Sequence, residues 1–558
     1  MKRFFIFIIV IALFGCKKPN KKEYYVKPIE VVCDYPFNDT TKWAITCRVW
    51  GLLKYYHPNV TAGKLDWDKV LLGRMDRIND AHTPEQVNTE LMGLIRDAGK
   101  YRGKVDKKWD NSQNMNVNLC WLDHSFINDT IRQELRKLAS LTVEHPSHYV
   151  GYFDTGVYIS AGLAFDNEKD YEKVNLILFY DYRLLALFRY WNVIYYFFPY
   201  KYLMDQSWDI TLEEFIPQFL TCNSMVEYNE SLLKIAAKLH DGHAFSNIPL
   251  TSNAYSPIAI TAMIDTLTVI KNPPEQSLLK RGDVILSIDG KDIKSIRDSL
   301  APFIPSSTQH KIDMIINSLI DIPIMEGCIM NILRNQEELT FQEIKKIPIP
   351  LKDSLLFYLI SPNIGYVNLA FLKTSDIESI FDSLENTRGV IFDIRNYPNF
   401  SFSDFFCHLV PPEQPVFYAQ ANFADLSHIG AFYKNEKQGA FYTKDQSENC
   451  KRYKGKVIVL INEIPQSATE TKIMMFRAIG ATLIGTPTTG TNGTVAVLKL
   501  PGGIITNFSS LGFYYPDGEE IQRKGIIPDI EVYPTMESIM EAKDEILEEA
   551  IRYINSLK

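Results

Sequence analysis

Several patterns are missing from the 558-residue sequence, and each absence closes a class of function. No run of basic residues with interleaved aromatics occurs and the formal net charge is −8, so nucleic acid is not an expected partner. The eight cysteines never stand in Cys-x-x-Cys spacing, which argues against a zinc knuckle or a dense disulfide framework. Apart from Cys16 they read as mostly small buried hydrophobes, with a stray disulfide left open. No His-Glu-x-x-His motif is present; His240 and His243 stand three apart without a third ligand, so no metal and no cofactor is assigned. What remains is a mildly acidic chain with 46% hydrophobic residues, too long for one core and read as three or four domains.

The start, "MKRFFIFIIVIALFGCKK", sets Lys2 and Arg3 before the apolar run Phe4–Phe14, which is too short to span a bilayer as a mature helix and has the layout of a secretory signal peptide over 1–15. Leu13-Phe14-Gly15-Cys16 resembles the bacterial lipobox, whose cysteine is lipidated and becomes the first mature residue, although Phe14 fits that pattern poorly and plain export stays open. A polar tether over 16–40 follows. The expectation is an exported lipoprotein, anchored to a membrane through Cys16, periplasmic or at the cell surface.

Further along, "RVWGLLKYYHPNVTAGKLDWD" (48–68) matches "RYWNVIYYFFPYKYLMDQSWD" (189–209): Arg48, Trp50, Pro58, Trp67 and Asp68 recur as Arg189, Trp191, Pro199, Trp208 and Asp209. Each copy runs into an amphipathic helical stretch, so 41–180 and 181–248 read as two related helical units, the first with some strands. The four tryptophans sit in apolar contexts and read as core anchors rather than a glycan-binding surface. From 250 to 350 short strands take over; "GDVILSIDG", with turns at Gly282-Asp283 and Asp289-Gly290, resembles a PDZ domain, which adds a peptide strand to a sheet edge and holds its terminal carboxylate in a backbone nest. From 355 to 535 continuous apolar strands alternate with helices in α/β texture, and 536–558 reads as one amphipathic helix.

Within the α/β region "INEIPQSATETKIMM" raises a choice. Ser467 with Glu470 three residues on has the form of a capping box, and Ser467 is equally placed as a nucleophile at the positive end of a helix. Three segments, "GVIFDIRNYPN", "INEIPQSATE" with "GTPTTGTNG", and "YYPDGEEIQRKGIIPDIEV", together with the PDZ-like unit, resemble the tail-specific and tricorn-like serine peptidases, and the helical repeat is similar to exported Bacteroidetes-type members. The resemblance implies a crotonase-like α/β catalytic domain preceded by the helical repeat and the PDZ-like unit.

It also implies roles. The nucleophile falls on Ser467, the oxyanion donors on the N–H of Ala468 and on the turn at Asn396 and Tyr397, the latter where many relatives carry glycine. The lysine of tail-processing members is replaced by Thr491, which cannot act as a base; Lys472 and Lys524 do not match that position and read as solvated lysines. Tricorn-like members take a histidine from the helical domain, here His243 in "KLHDGHAFS", with a neutral-range pKa suited to general base catalysis. The orienting groups of that pattern fall on Gly242 and Gln522, where Glu519, Glu520 or Asp241 could substitute. The expected activity is hydrolysis of peptide bonds in peptide or protein substrates, C-terminal tails among them; the alternative is a catalytically impaired peptide-binding protein of the same fold. The sequence sets no oligomeric state.

Overall fold

The computed structural model describes residues 23–25, 36–106, 117–144, 146–154, 161–249, 260–274, 277–342, 355–398, 402–410, 416–434, 440–441 and 450–557. The signal segment and Cys16 lie outside the described residues. Of the stretch read as a tether, Glu23–Tyr25 forms a strand on Phe432–Lys434.

Two helices, Asp39–Tyr56 and Tyr180–Phe197, form the centre of the helical body. Both are apolar or aromatic around nearly their whole circumference and both are buried along most of their length, as such helices must be. They meet at equivalent positions of the repeat: a Cβ on Gly51 would lie 1.7 Å from Asn192 Oδ1, so only glycine permits this crossing. Within each copy the two tryptophans exchange indole N–H bonds for each other's carbonyl: Trp50 with Trp67 at 3.2 and 3.1 Å, Trp191 with Trp208 at 2.8 and 3.0 Å. All four are buried, which makes them core anchors. Between copies the ion pairs are swapped. Arg48 binds Asp209 at 2.9 Å, and Arg189 binds Asp68 at 2.7 Å and Glu168 at 2.8 Å. The repeated arginine of each copy is paired with the repeated aspartate of the other, so the two units fold as one body.

That body grips the α/β domain through the hairpin of Val495–Leu500 and Ile504–Ser509, which extends Gly151–Asp154 and Ala161–Ala164 into one four-stranded sheet. Arg189 donates to the Lys499 carbonyl and Tyr228 to that of Pro501, where the first strand of the hairpin enters its turn.

The unit over 260–342 is a five-stranded antiparallel sheet, ordered Thr261–Ile264, Leu267–Ile270, Val284–Ile288, Ile329–Arg334, Glu337–Gln342, with Lys291–Asp292 added to the third strand and two helices, Ile293–Leu300 and Gln309–Glu326.

In the α/β domain a six-stranded sheet runs Phe357–Ser361, Ile364–Asn368, Gly389–Asp393, Lys456–Ile461, Thr482–Gly485, Ile530–Glu531, parallel except for the first strand. Gly389–Asp393 is buried at every position because helices cover both faces, with Ile377–Leu384 and Ala468–Ala478 on one side and Glu545–Ser556 on the other. The tail is not one helix. Ala542 takes a left-handed φ of 56° after Met536–Glu541, and Asp544 starts Glu545–Ser556 by accepting from Leu547 N–H while its carboxylate binds Arg395 at 2.7 Å. Three cysteines, Cys47, Cys222 and Cys328, are the buried hydrophobes expected; Cys407 is instead bonded to Cys450, and Cys120 is disulfide-bonded as well. Among the described residues no helix is long and apolar enough to cross a membrane.

All seven tryptophans precede residue 209, so their fluorescence reports on the helical body. Arg189→Met strips Asp68 and Glu168 of a buried partner and is expected to lower that transition's stability in urea by about 3–5 kcal/mol. Arg552→Met, at a pair whose arginine is 72% exposed, should leave it unchanged.

Candidate active site

Ser467 stands between the carboxyl end of the central strand Lys456–Ile461 and the helix Ala468–Ala478, the edge of an open parallel sheet where ligand sites collect. Its backbone has φ 57° and ψ −126°, a conformation that costs a non-glycine residue roughly 1–3 kcal/mol. Neighbours hold it there: its N–H donates to the Thr491 carbonyl at 2.7 Å and its carbonyl accepts from Thr471 N–H at 3.1 Å. The side chain is half-exposed and makes no capping bond.

The capping box expected between Ser467 and Glu470 therefore does not form. Glu470 is fully buried, and its carboxylate turns to the loop "GTPTTGTNG", accepting from Thr488 Oγ1 at 2.5 Å, Gly490 N–H at 2.8 Å and Thr491 N–H at 3.0 Å. Burial pushes its carboxyl up to about 7, against the pull of these donors.

His243 follows the helix Met225–Ala237 and is buried. A short antiparallel ladder fixes it: Asn247 N–H donates to Ile505 carbonyl and Asn507 N–H to Phe245 carbonyl, each at 3.0 Å, with Ser246 opposite Thr506. Continued at constant register, this pairing sets His243 opposite Ser509, and Nδ1 of His243 lies 2.8 Å from Ser509 Oγ. Ser509 Oγ in turn donates to Asp241 Oδ1 at 2.8 Å, and the same carboxylate accepts from Ser509 N–H at 2.6 Å and His243 N–H at 3.1 Å. With Ser509 donating to Asp241, the network assigns the proton on the imidazole to Nδ1 and leaves Nε2 bare. Burial lowers the pKa of His243 below its ordinary value, and the Asp241 carboxylate acts in the opposite direction.

The two halves meet at Thr491. Its carbonyl holds Ser467, and its Oγ1 accepts from Gly242 N–H at 3.1 Å and contacts Ser307 Oγ closely. A Cβ at 242 would lie 2.6 Å from that hydroxyl oxygen, which accounts for glycine next to His243. Gln522 is buried in the same network, with Nε2 3.3 Å from Ser307 Oγ and 3.5 Å from Asp241 Oδ1. It does not touch His243; the carboxylate nearest the imidazole is Asp241, one of the three alternatives, whereas Glu519 is 60% exposed and faces Lys524. His240 forms no pair with His243 and instead binds Asp205 at 2.7 Å. The one grouping of three metal-ligating side chains among the described residues is Cys407, His408 and Cys450, and its two sulfurs are bonded to each other.

Asn396 and Tyr397 are exposed on the turn after Gly389–Asp393, and Ala468 opens the helix. Lys472, on that helix, is not solvated: it is 5% exposed, its Nζ lies 3.3 Å from the Pro398 carbonyl and 5.9 Å from the centre of the Tyr397 ring, and burial lowers its pKa to about 8. It ties the turn at 396–398 to the helix that begins at Ser467. Lys524 is half-exposed, as expected. Sequence reasoning missed Ser509 altogether, because only strand register brings it to His243.

Residues 416–532 match the profile of Peptidase family S41. No curated protein matches the chain by sequence. Among solved structures, mature CPAF is 14% identical, with 68% of this chain and 98% of that chain covered at a TM-score of 0.53. Mature CPAF complexed with lactacystin gives 13%, 68%, 100% and 0.51. A putative peptidase from Parabacteroides merdae is 18% identical over 67% of this chain and 96% of its own, but its TM-score of 0.40 carries no argument. At these identities the CPAF structures establish a shared fold. The family match falls on the segment that holds Ser467, Thr491, Ser509 and Gln522, and identifies that segment as a peptidase segment of family S41.

Proposed function

We propose that the protein is an exported serine endopeptidase that hydrolyses peptide bonds through an acyl-enzyme on Ser467, with His243 as general base and Ser509 and Asp241 orienting it. The observation that carries this reading is that Thr491 holds the strained, half-exposed Ser467 through its carbonyl and, through its hydroxyl, Gly242, the neighbour of a buried imidazole whose Nδ1 is already bonded. In the first step Ser467 Oγ attacks the scissile carbonyl while Nε2 of His243 takes its proton and passes it to the leaving amine. Water then attacks the ester by the same proton route in reverse. Ala468 N–H and the turn at Asn396 and Tyr397 are the donors for the oxyanion. Asp241 supplies the carboxylate that Gln522 lacks, which removes the main reason to read the chain as an impaired binding protein. The unit over 260–342 is PDZ-like and presents substrate as an added strand. The disulfides favour an oxidising compartment, in keeping with export and with a lipid anchor at Cys16.

A fluorophosphonate probe on the purified chain should label Ser467 stoichiometrically. Ser467→Ala abolishes labelling, and His243→Ala slows it by about 10²–10⁴-fold. A chain that stays unlabelled at Ser467, or that labels equally fast without His243, contradicts the assignment.

The pH profile tests Asp241 separately. A base with a depressed pKa stays neutral to lower pH, so the acid limb of kcat/KM is expected below ~6.5, the usual histidine value. Asp241→Asn removes the charge that raises this pKa, so the limb should move further toward acid while the plateau falls by about 10²–10⁴-fold. Ser509→Ala should shift both in the same direction by less. A plateau that drops with the limb unmoved would mean that Asp241 serves only to hold the structure together.

A further inference from the structure

The PDZ-like unit has one open sheet edge lined by a helix. Thr261–Ile264 pairs with Leu267–Ile270 on one side and, among the described residues, with no strand on the other. Next to that side runs Gln309–Glu326, and a cavity of about 200 Å³ between them extends to Asn462–Ile464, the residues that lead into Ser467. In an antiparallel ladder alternate residues direct their N–H and C=O groups outward. Thr261 is one of these, since its N–H leaves the sheet, and Met263 two residues on presents its groups on the same side.

A unit that binds peptide tails needs its first outward N–H groups vacant to hold a terminal carboxylate. Here they are occupied. Ile260 N–H donates to Asp321 Oδ2 at 2.9 Å, Thr261 N–H to Oδ1 at 3.0 Å, and the Thr261 hydroxyl to Oδ1 at 2.7 Å. Asp321 is fully buried on the helix, so the carboxylate comes from the fold itself and both of its oxygens are in use. A second carboxylate would have to displace it, because the N–H donors of that corner are already taken.

We propose that this groove captures extended internal segments of polypeptide, with Asp321 standing permanently where the carboxyl terminus of a tail would otherwise be held. The proposal rests on the PDZ-like reading above and departs from tail capture. Specificity then comes from side chains that reach the groove wall at Met314, Asn317 and Ser318, and the strand hydrogen bonds come from Met263.

The test uses the full Ser467→Ala chain. Random decapeptides are displayed with a free carboxyl terminus, or followed by a constant segment, and selected on it; recovered peptides are made as free acids and as amides and titrated by fluorescence anisotropy. Binders are expected from the second library, with acid and amide affinities within about twofold of each other, because no charged hydrogen bond to the terminus is gained. Asp321→Ala vacates the nest, and the acids should then bind about tenfold more tightly than the amides. Asp321→Asn is the companion should alanine unfold the unit, and it should shift the ratio the same way. Met263→Pro removes the outward N–H and should weaken both forms alike. The proposal is overturned if acids bind the unaltered groove about tenfold better than amides, if neither library yields a binder, or if binding ignores Met263→Pro. Fluorophosphonate labelling of Ser467 is independent of all three, so failure here is distinguishable from failure of the peptidase reading.

Discussion

The hydrogen bond from Ser467 N–H to the Thr491 carbonyl, at 2.7 Å, sets the serine turn on the residue that also meets the loop from the helical body. Through its main chain Thr491 fixes the strained turn that exposes the serine. Through its hydroxyl it receives the Gly242 amide and so fixes the loop that ends in His243. Glu470 clamps the same residue from below by accepting its N–H. A lysine at 491 would be read as a base; the threonine serves as a joint, and in the function proposed above the proton-accepting role passes to an imidazole delivered by the helical body.

Three buried carboxylates follow one pattern. Asp241 holds main-chain N–H groups of Ser509 and His243, Glu470 those of Gly490 and Thr491, and Asp321 those of Ile260 and Thr261. In each case the acid sits on one element and the amides on another, or on both sides of a turn, so a carboxyl group removed from water is used to lock a junction. Such groups resist removal, because the donors they satisfy would be left bare in a low-dielectric interior.

Much of this was legible in the sequence. The strands Gly389–Asp393 and Lys456–Ile461 announce themselves as unbroken apolar runs, and the tryptophan repeat marks two helical copies. What stayed hidden depends on distant register or on burial. Ser509 reaches His243 only because Ser246 pairs with Thr506, and nothing near either residue encodes that pairing. Lys472 looks like a surface lysine on an amphipathic helix until the turn at Pro398 closes over it. Glu470 satisfies the capping-box pattern locally, yet the buried loop at 488–491 offers it three donors where the cap offers one. The tail breaks at Ala542 because Asp544 finds a better partner in Arg395 than a continuous helix would give it.

The swapped pairs Arg48–Asp209 and Arg189–Asp68, with Gly51 packed on its own counterpart Asn192, have the geometry of an isologous dimer interface in which every contact occurs twice about a two-fold axis. Carried within a single chain, that association no longer depends on concentration. The covalent fusion also frees the two halves to diverge: the first adds two strands to the sheet shared with the α/β domain, while the second extends past its helices into the loop that bears His243. A symmetric pair of free-standing copies would carry two such loops, only one of which could pair with a given Ser509.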